Sequence, residues 1–150
     1  MLYFWIALFT LIVSSVNYSM HMDAFLYMQK QKKIADEQAI LEYILTSSKY
    51  MGEIIAEDKN TCFNVNKCTE LLQNRLKNNN YTVNNNVKHC VYNGKITIYY
   101  KSNNNFYDSV LGLYKKHGVQ NLENIENEFY AHCKTKTSSR GVYIQQNFNQ

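Results

Sequence analysis

No Asp, Glu, Lys or Arg occurs between Met1 and Met22. The most apolar part, Leu2 to Val16, carries Leu2, Phe4, Trp5, Ile6, Leu8, Phe9, Leu11, Ile12 and Val13. As a helix, 22 uncharged residues rise roughly 33 Å, enough to cross a hydrocarbon core of about 30 Å. This run restricts the chain to three arrangements. It is a transmembrane anchor, a cleaved signal peptide, or a helix buried in a core. The early position and the small residues Ser14, Ser15 and Ser19 suit a signal peptide, but the basic region that normally opens one is missing. The anchor reading is adopted, with residues 1–22 as the membrane segment and the nine apolar residues above as its lipid-facing set.

Orientation is contested by the sequence itself. The first acid is Asp23 and the first bases are Lys30, Lys32 and Lys33. The positive-inside rule places such lysines, and the chain behind them, in the cytoplasm. The four cysteines, Cys62, Cys68, Cys90 and Cys133, all follow the anchor. An even number in a small, loop-rich region suits disulfides in an oxidising compartment.

Helical patterning continues beyond the anchor. Ile34, Leu41, Ile44, Leu45, Met51 and Ile55 recur at spacings that form one helical stripe, and no Gly or Pro interrupts before Gly52. The sequence therefore predicts helix from about Leu2 to about Glu57, bent near Ser14 to Asn17. Such a helix would span roughly 80 Å. Residues 23–57 form its amphipathic part, whose stripe is expected to pack on the chain's own domain; the alternative is that it also packs on neighbouring helices in an assembly.

A small α+β domain is expected over 58–135, followed by a polar C-terminal tail over 136–150. Val65, Cys68, Leu71, Leu72 and Leu76 mark a short amphipathic helix, capped by Asn64 or Asn66 and ended by Asn78 to Asn80. Asn93-Gly94 is the favoured pair for a tight hairpin turn between Val87–Tyr92 and Lys95–Lys101. That turn pairs Tyr92 with Lys95 and His89 with Ile98. It places Ile96 and Ile98 on the core face, and Thr97 and Tyr99 away from it. Phe106 to Tyr114 reads as a third strand from the alternation of Tyr107, Leu111 and Leu113. A helix is the competing reading, from Asp108 at its start and Lys115, Lys116 and His117 before Gly118. Leu122, Ile125, Phe129 and Cys133 predict a helix from Asn121 to Lys134, and Val142 to Ile144 a short strand. The fold class is thus α+β: a long N-terminal membrane-spanning helix continuing into an amphipathic helix, packed on a small antiparallel β-meander with additional short helices.

The cysteines offer three readings: disulfides, buried thiols, or a zinc site completed by His89 and His132. No Cys-x-x-Cys knuckle exists, and neighbours on a strand point to opposite faces, so His89 and Cys90 do not share an ion. Of the three connectivities that four cysteines allow, the expected one is Cys62–Cys68 and Cys90–Cys133. The first closes a short ring at a loop-to-helix junction. The second ties the helix carrying Cys133 onto the strand carrying Cys90. There is no Gly-rich phosphate loop, no Gly-x-Ser-x-Gly and no His-Glu-x-x-His. The chain is accordingly expected to be no enzyme, with no catalytic residue, cofactor or metal. Only 2 of the 16 basic residues are Arg and the lysines are scattered, which leaves no nucleic-acid footprint. The expected partners are the lipid bilayer and proteins met through the N-terminal helix. The rival readings are a small secreted binding protein and a cytosol-facing, membrane-tethered adaptor.

The apolar run Leu2 to Val16, the continuing helix Lys30 to Glu57 and the antiparallel strands of Val87 to Tyr114 around Asn93-Gly94 form a layout. It resembles that of bacterial type IV pilin-like proteins, especially the minor pseudopilins of competence systems. The resemblance is architectural. Phe9-Thr10-Leu11-Ile12 matches four residues of the family's leader-proximal motif, with Val13 where Glu would follow, and the prepilin leader motif itself is absent. The resemblance implies an extracytoplasmic structural subunit, without catalysis. Its helix holds it in the membrane before assembly and then packs in the core of a fibre.

Overall fold

The computed structural model describes residues 2–58, 60, 62, 65–92, 94–125, 129, 133 and 140–147. The chain divides into two compact units, Met1–Asp36 and Glu37–Gln150. Helix α1 (Leu2–Glu57) supplies the whole of the first and opens the second. Its extent follows from a run of helix-tolerant residues without Pro and without Gly before Gly52.

In the second unit, α1 buries Leu41, Ile44, Met51, Ile54 and Ile55. These positions, at spacings of three, four and seven, form one face. Gly52 falls beside the sheet, where a Cβ would lie 3.4 Å from Gln146 Oε1. Helix α2 (Val65–Asn78) buries Cys68, Leu72 and Leu76. It ends as a Schellman motif: Tyr81 N–H donates to Leu76 O (3.0 Å), Asn80 N–H to Lys77 O (3.0 Å), and Asn80 takes φ +62°. Asn66 lies inside the first turn of α2 rather than at its cap, and Asn64 lies outside the described residues. Arg75 donates to Glu53 (3.3 Å) and to both oxygens of Glu57 (2.9 and 2.7 Å), a cation where the α1 C-terminus would otherwise meet only acids. The Glu57 hydrogen bond is the main reason its pKa lies above the ordinary value.

Strands β1 (Val87–Tyr92), β2 (Lys95–Lys101), β3 (Gln120–Asn121) and β4 (Gly141–Asn147) form one antiparallel sheet in the order β1-β2-β4-β3. The hairpin register is the one the turn predicts, with Tyr92 opposite Lys95 and His89 opposite Ile98. Gly94 takes φ +72°; Asn93 lies outside the described residues. Ile96, Ile98, Val142 and Ile144 share one face and are buried. Thr97 and Tyr99, on the other face, are buried as well, at 1% and 7% exposure. This corrects the expectation that they point away from the core. The second face has its own cover: Tyr99 and Tyr143 pack with Leu122, Ile125 and Phe129. The Tyr99 and Phe129 rings meet edge to face at 5.3 Å.

Two further expectations are corrected. Phe106 to Tyr114 is not a strand: α3 (Asp108–Lys115) is a helix. Val110 and Leu111 are both buried while Leu113 is exposed, which alternation cannot produce. The start of α3 is held by Glu37, a buried carboxylate that accepts the Tyr107 N–H at 2.8 Å. The hairpin's third strand is instead β4, from the stretch expected as a polar tail with a short strand at Val142 to Ile144, which is extended at both ends. Val142, Tyr143 and Ile144 are buried there because β4 sits between β2 and β3, with Gln and Asn confined to its far end. The segment expected as helix from Asn121 starts as β3 and a 3₁₀ turn, Leu122–Asn124. Farther on, the Cys133 N–H donates to Phe129 O at 2.9 Å, a helical spacing. Residues 126–128, 130–132 and 134–139 lie outside the described residues.

Candidate functional site

The first unit presents its apolar side chains outward. Phe4, Trp5, Ile6, Leu8, Phe9, Leu11, Ile12 and Val13 are all exposed, Trp5 at 65% and Phe9 at 69%. Leu2 opens the helix. Apolar exposure runs past the expected end at Met22, through Phe25, Leu26, Tyr27 and Met28. Contiguous apolar surface on this scale is what water-soluble proteins avoid. The hydroxyls of Thr10 and Ser15 bond back to helix carbonyls, Thr10 to Ile6 O (3.1 Å) and Ala7 O (2.9 Å), Ser15 to Ile12 O (2.8 Å). This leaves little polarity on the surface. Among the described residues, α1 is the one helix long and apolar enough to cross a membrane.

The four cysteines fall into two pairs at disulfide distance. Cys62 and Cys68 have Cα atoms 4.8 Å apart, and Cys90 and Cys133 have theirs 5.9 Å apart. The pairs differ in surroundings. Cys62 and Cys68 are fully buried, with the Met51 sulfur 3.8 and 3.1 Å from their sulfurs, so this pair joins the α1–α2 connection to the start of α2 and packs against α1. Cys90 and Cys133 are half-buried at the edge of the Tyr99–Phe129–Tyr143 cluster, where they fasten its cover to β1. His89 and Cys90 point to opposite faces of β1. Among the described residues no three His, Cys, Asp or Glu side chains are grouped to hold a metal.

One feature has no counterpart in the sequence motifs. A cleft of about 210 Å³ lies where α1, α2 and β1 meet. Tyr43 and Ser47 come from α1, Thr69 and Leu72 from α2, His89 from β1. The Thr69 hydroxyl and His89 Nε2 are 2.7 Å apart and bond to each other across the helix–sheet junction. Ser47 is buried at 1% exposure and its hydroxyl has no hydrogen-bond partner among the described residues. The helical stripe runs through Ser47, which reads in sequence as a small polar interruption. Nothing local indicates what it faces.

No protein-family model, curated protein or solved structure significantly matches the chain.

Proposed function

We propose that the chain is a single-pass membrane protein, held by the N-terminal part of α1, with its disulfide-bonded α+β domain on the extracytoplasmic side. The observation that carries this reading is the union of two features: a helix of exposed apolar residues and two cysteine pairs at bonding distance. Lipid removes the cost of the first, and an oxidising compartment lets the second persist. Within this class we favour a structural subunit of the minor pilin or pseudopilin kind, acting through helix packing rather than catalysis. The same layout of apolar helix, amphipathic continuation and small antiparallel sheet supports it. A cytosol-facing adaptor is the second reading, favoured by Lys30, Lys32 and Lys33 immediately beyond the apolar run.

Two measurements test the proposal. Carbonate extraction of membranes leaves the full-length chain in the pellet, and its release into the soluble fraction overturns the anchor. In unreduced intact cells a membrane-impermeant maleimide finds no thiol, and after treatment with an impermeant reductant it labels the chain. Labelling that needs permeabilised cells but no reduction establishes the cytosolic adaptor instead.

A further inference from the structure

We infer that Cys90–Cys133 is a thiol–disulfide exchange site, opened by an external thiolate that Lys88 attracts, while Cys62–Cys68 is closed to the same reaction. The two bridges differ in access. Cys62 and Cys68 both have 0% exposure, with the Met51 sulfur against them. Cys90 and Cys133 are half-buried at the rim of the Tyr99–Phe129–Tyr143 cluster. Exchange needs a thiolate to reach one sulfur of the bridge, so its rate follows access. Cys90 lies on β1, the terminal strand of the sheet, and among the described residues no further strand screens it. A fully buried bridge is reached only when the fold around it opens.

Charge reinforces this difference. Lys88 and Cys90 are two residues apart on β1, so they share the face that meets Tyr99 and Thr97 of β2. Two residues of extended strand separate their Cα atoms by roughly 7 Å, and Lys88 is exposed. An ammonium at this range raises the local concentration of an anionic thiolate and favours the negative charge carried through the exchange. The attacking sulfur bonds to one sulfur of the bridge and expels the other as a thiolate. A second thiolate then displaces the first half-cystine. The two electrons come from the external dithiol or thiol pair, which leaves as a disulfide, and Cys90 and Cys133 take up two protons. Opening has a structural consequence. The Cys133 N–H donates to Phe129 O at 2.9 Å, and Phe129 packs edge to face on Tyr99, so the cover of the second face loses its covalent tie to β1.

The test treats the full-length oxidised chain in nonionic micelles with 2-mercaptoethanesulfonate, cysteamine or a Cys-x-x-Cys oxidoreductase, at equal thiolate concentration and low salt. Acid quenching, alkylation and peptide mapping then follow each bridge in time. Cys90–Cys133 should open at least about a hundredfold faster than Cys62–Cys68, at a rate proportional to thiolate concentration. Lys88→Gln should slow opening by 2-mercaptoethanesulfonate about threefold or more and opening by cysteamine less. That difference should vanish near 1 M salt, on the order of which screening is complete at this range. Hydrogen exchange at the Cys133 amide should rise once the bridge is open. Faster opening by the oxidoreductase than by the small thiols identifies a protein dithiol as the reductant; the reverse identifies a free thiol. Equal rates at the two bridges, earlier opening of Cys62–Cys68, an equal response of Lys88→Gln to both small thiols, or unaltered exchange at Cys133 overturns the inference. Four thiols before any treatment overturn it together with the compartment reading under the proposed function, whereas intact bridges that open alike overturn it alone.

Discussion

The two disulfides stabilise the domain unequally, and the difference can be worked from the chain they enclose. Cys90–Cys133 spans 43 residues and Cys62–Cys68 spans 6. In the chain-entropy model the longer loop contributes about 4 kcal/mol and the shorter about 2 kcal/mol. Burial works the other way in simple substitutions. Removing the sulfurs of Cys62 and Cys68 empties a fully buried site beside Met51, whereas Cys90 and Cys133 are half-buried. A comparison that cancels this packing cost keeps the sequence fixed and changes only the redox state. The Cys62→Ala/Cys68→Ala variant, oxidised against reduced, reports the long bridge alone. The Cys90→Ala/Cys133→Ala variant, treated alike, reports the short one. Urea unfolding of the full chain in micelles, followed by near-ultraviolet circular dichroism of the buried Tyr99 and Tyr143, gives each difference. At a urea dependence of roughly 1–3 kcal/mol per molar, the two redox shifts in midpoint should differ by about 1 M. Equal shifts, or a larger one for Cys62–Cys68, would refute the loop-length argument. Four thiols in protein purified without reductant would remove both bridges and the compartment assignment that rests on them.

Perturbations at four other positions follow from the fold. Ile98→Ala, in a buried position of the central hairpin strand, should lower stability by roughly 2–4 kcal/mol. Thr97→Ala, which removes the acceptor of Gln145 Nε2 (3.1 Å) on the second buried face, should cost about 1 kcal/mol, and a loss as large as that of Ile98→Ala in urea denaturation would refute this ranking of the two faces. Glu37→Ala deprives the Tyr107 N–H of its charged acceptor and should cost about 2 kcal/mol. Glu37→Gln should cost less, and hydrogen exchange at Tyr107 should rise in the order wild type, Gln, Ala. Leu8→Lys in the middle of the exposed apolar helix should raise the free energy of membrane insertion by about 3 kcal/mol and appear as loss from the carbonate-resistant pellet.

What the sequence disclosed was local. The uninterrupted helix over Leu2–Glu57, the hairpin around Gly94 and the amphipathic α2 each carry their period and their stop signals within their own residues. The failures were decided at a distance. Residues 108–115 have weak patterning, and their helix is fixed by Glu37, 70 residues before the Tyr107 amide it binds. Strand β4 is legible only at Val142 to Ile144, because Gln145, Gln146 and Asn147 read as tail, and its place in the sheet comes from neighbours on both sides. Thr97 and Tyr99 are polar enough to pass for a solvent face, yet both are buried, and Phe129 packs on Tyr99 from a distant part of the chain. The cleft is the extreme case. Ser47, Thr69 and His89 lie on three elements, and only the packing of α1, α2 and β1 makes them neighbours.

The position of β4 also has a kinetic consequence. The sheet is closed by its last strand in sequence, inserted between two earlier ones, with Tyr99 opposite Tyr143 and Lys101 opposite Gly141. The entry point is narrow: Gly141 takes φ +132°, and a Cβ there would collide with the Tyr100 carbonyl oxygen. Until residues 141–147 arrive, β2 offers a full hydrogen-bonding edge rich in Ile and Tyr, the kind of edge that recruits strands from other chains. Pairings so far apart in sequence form slowly. A chain emerging N-terminus first therefore leaves the β2 edge without its β4 partner until its last strand is made. In that interval, its fate is governed by whatever shields β2 rather than by the stability of the finished fold.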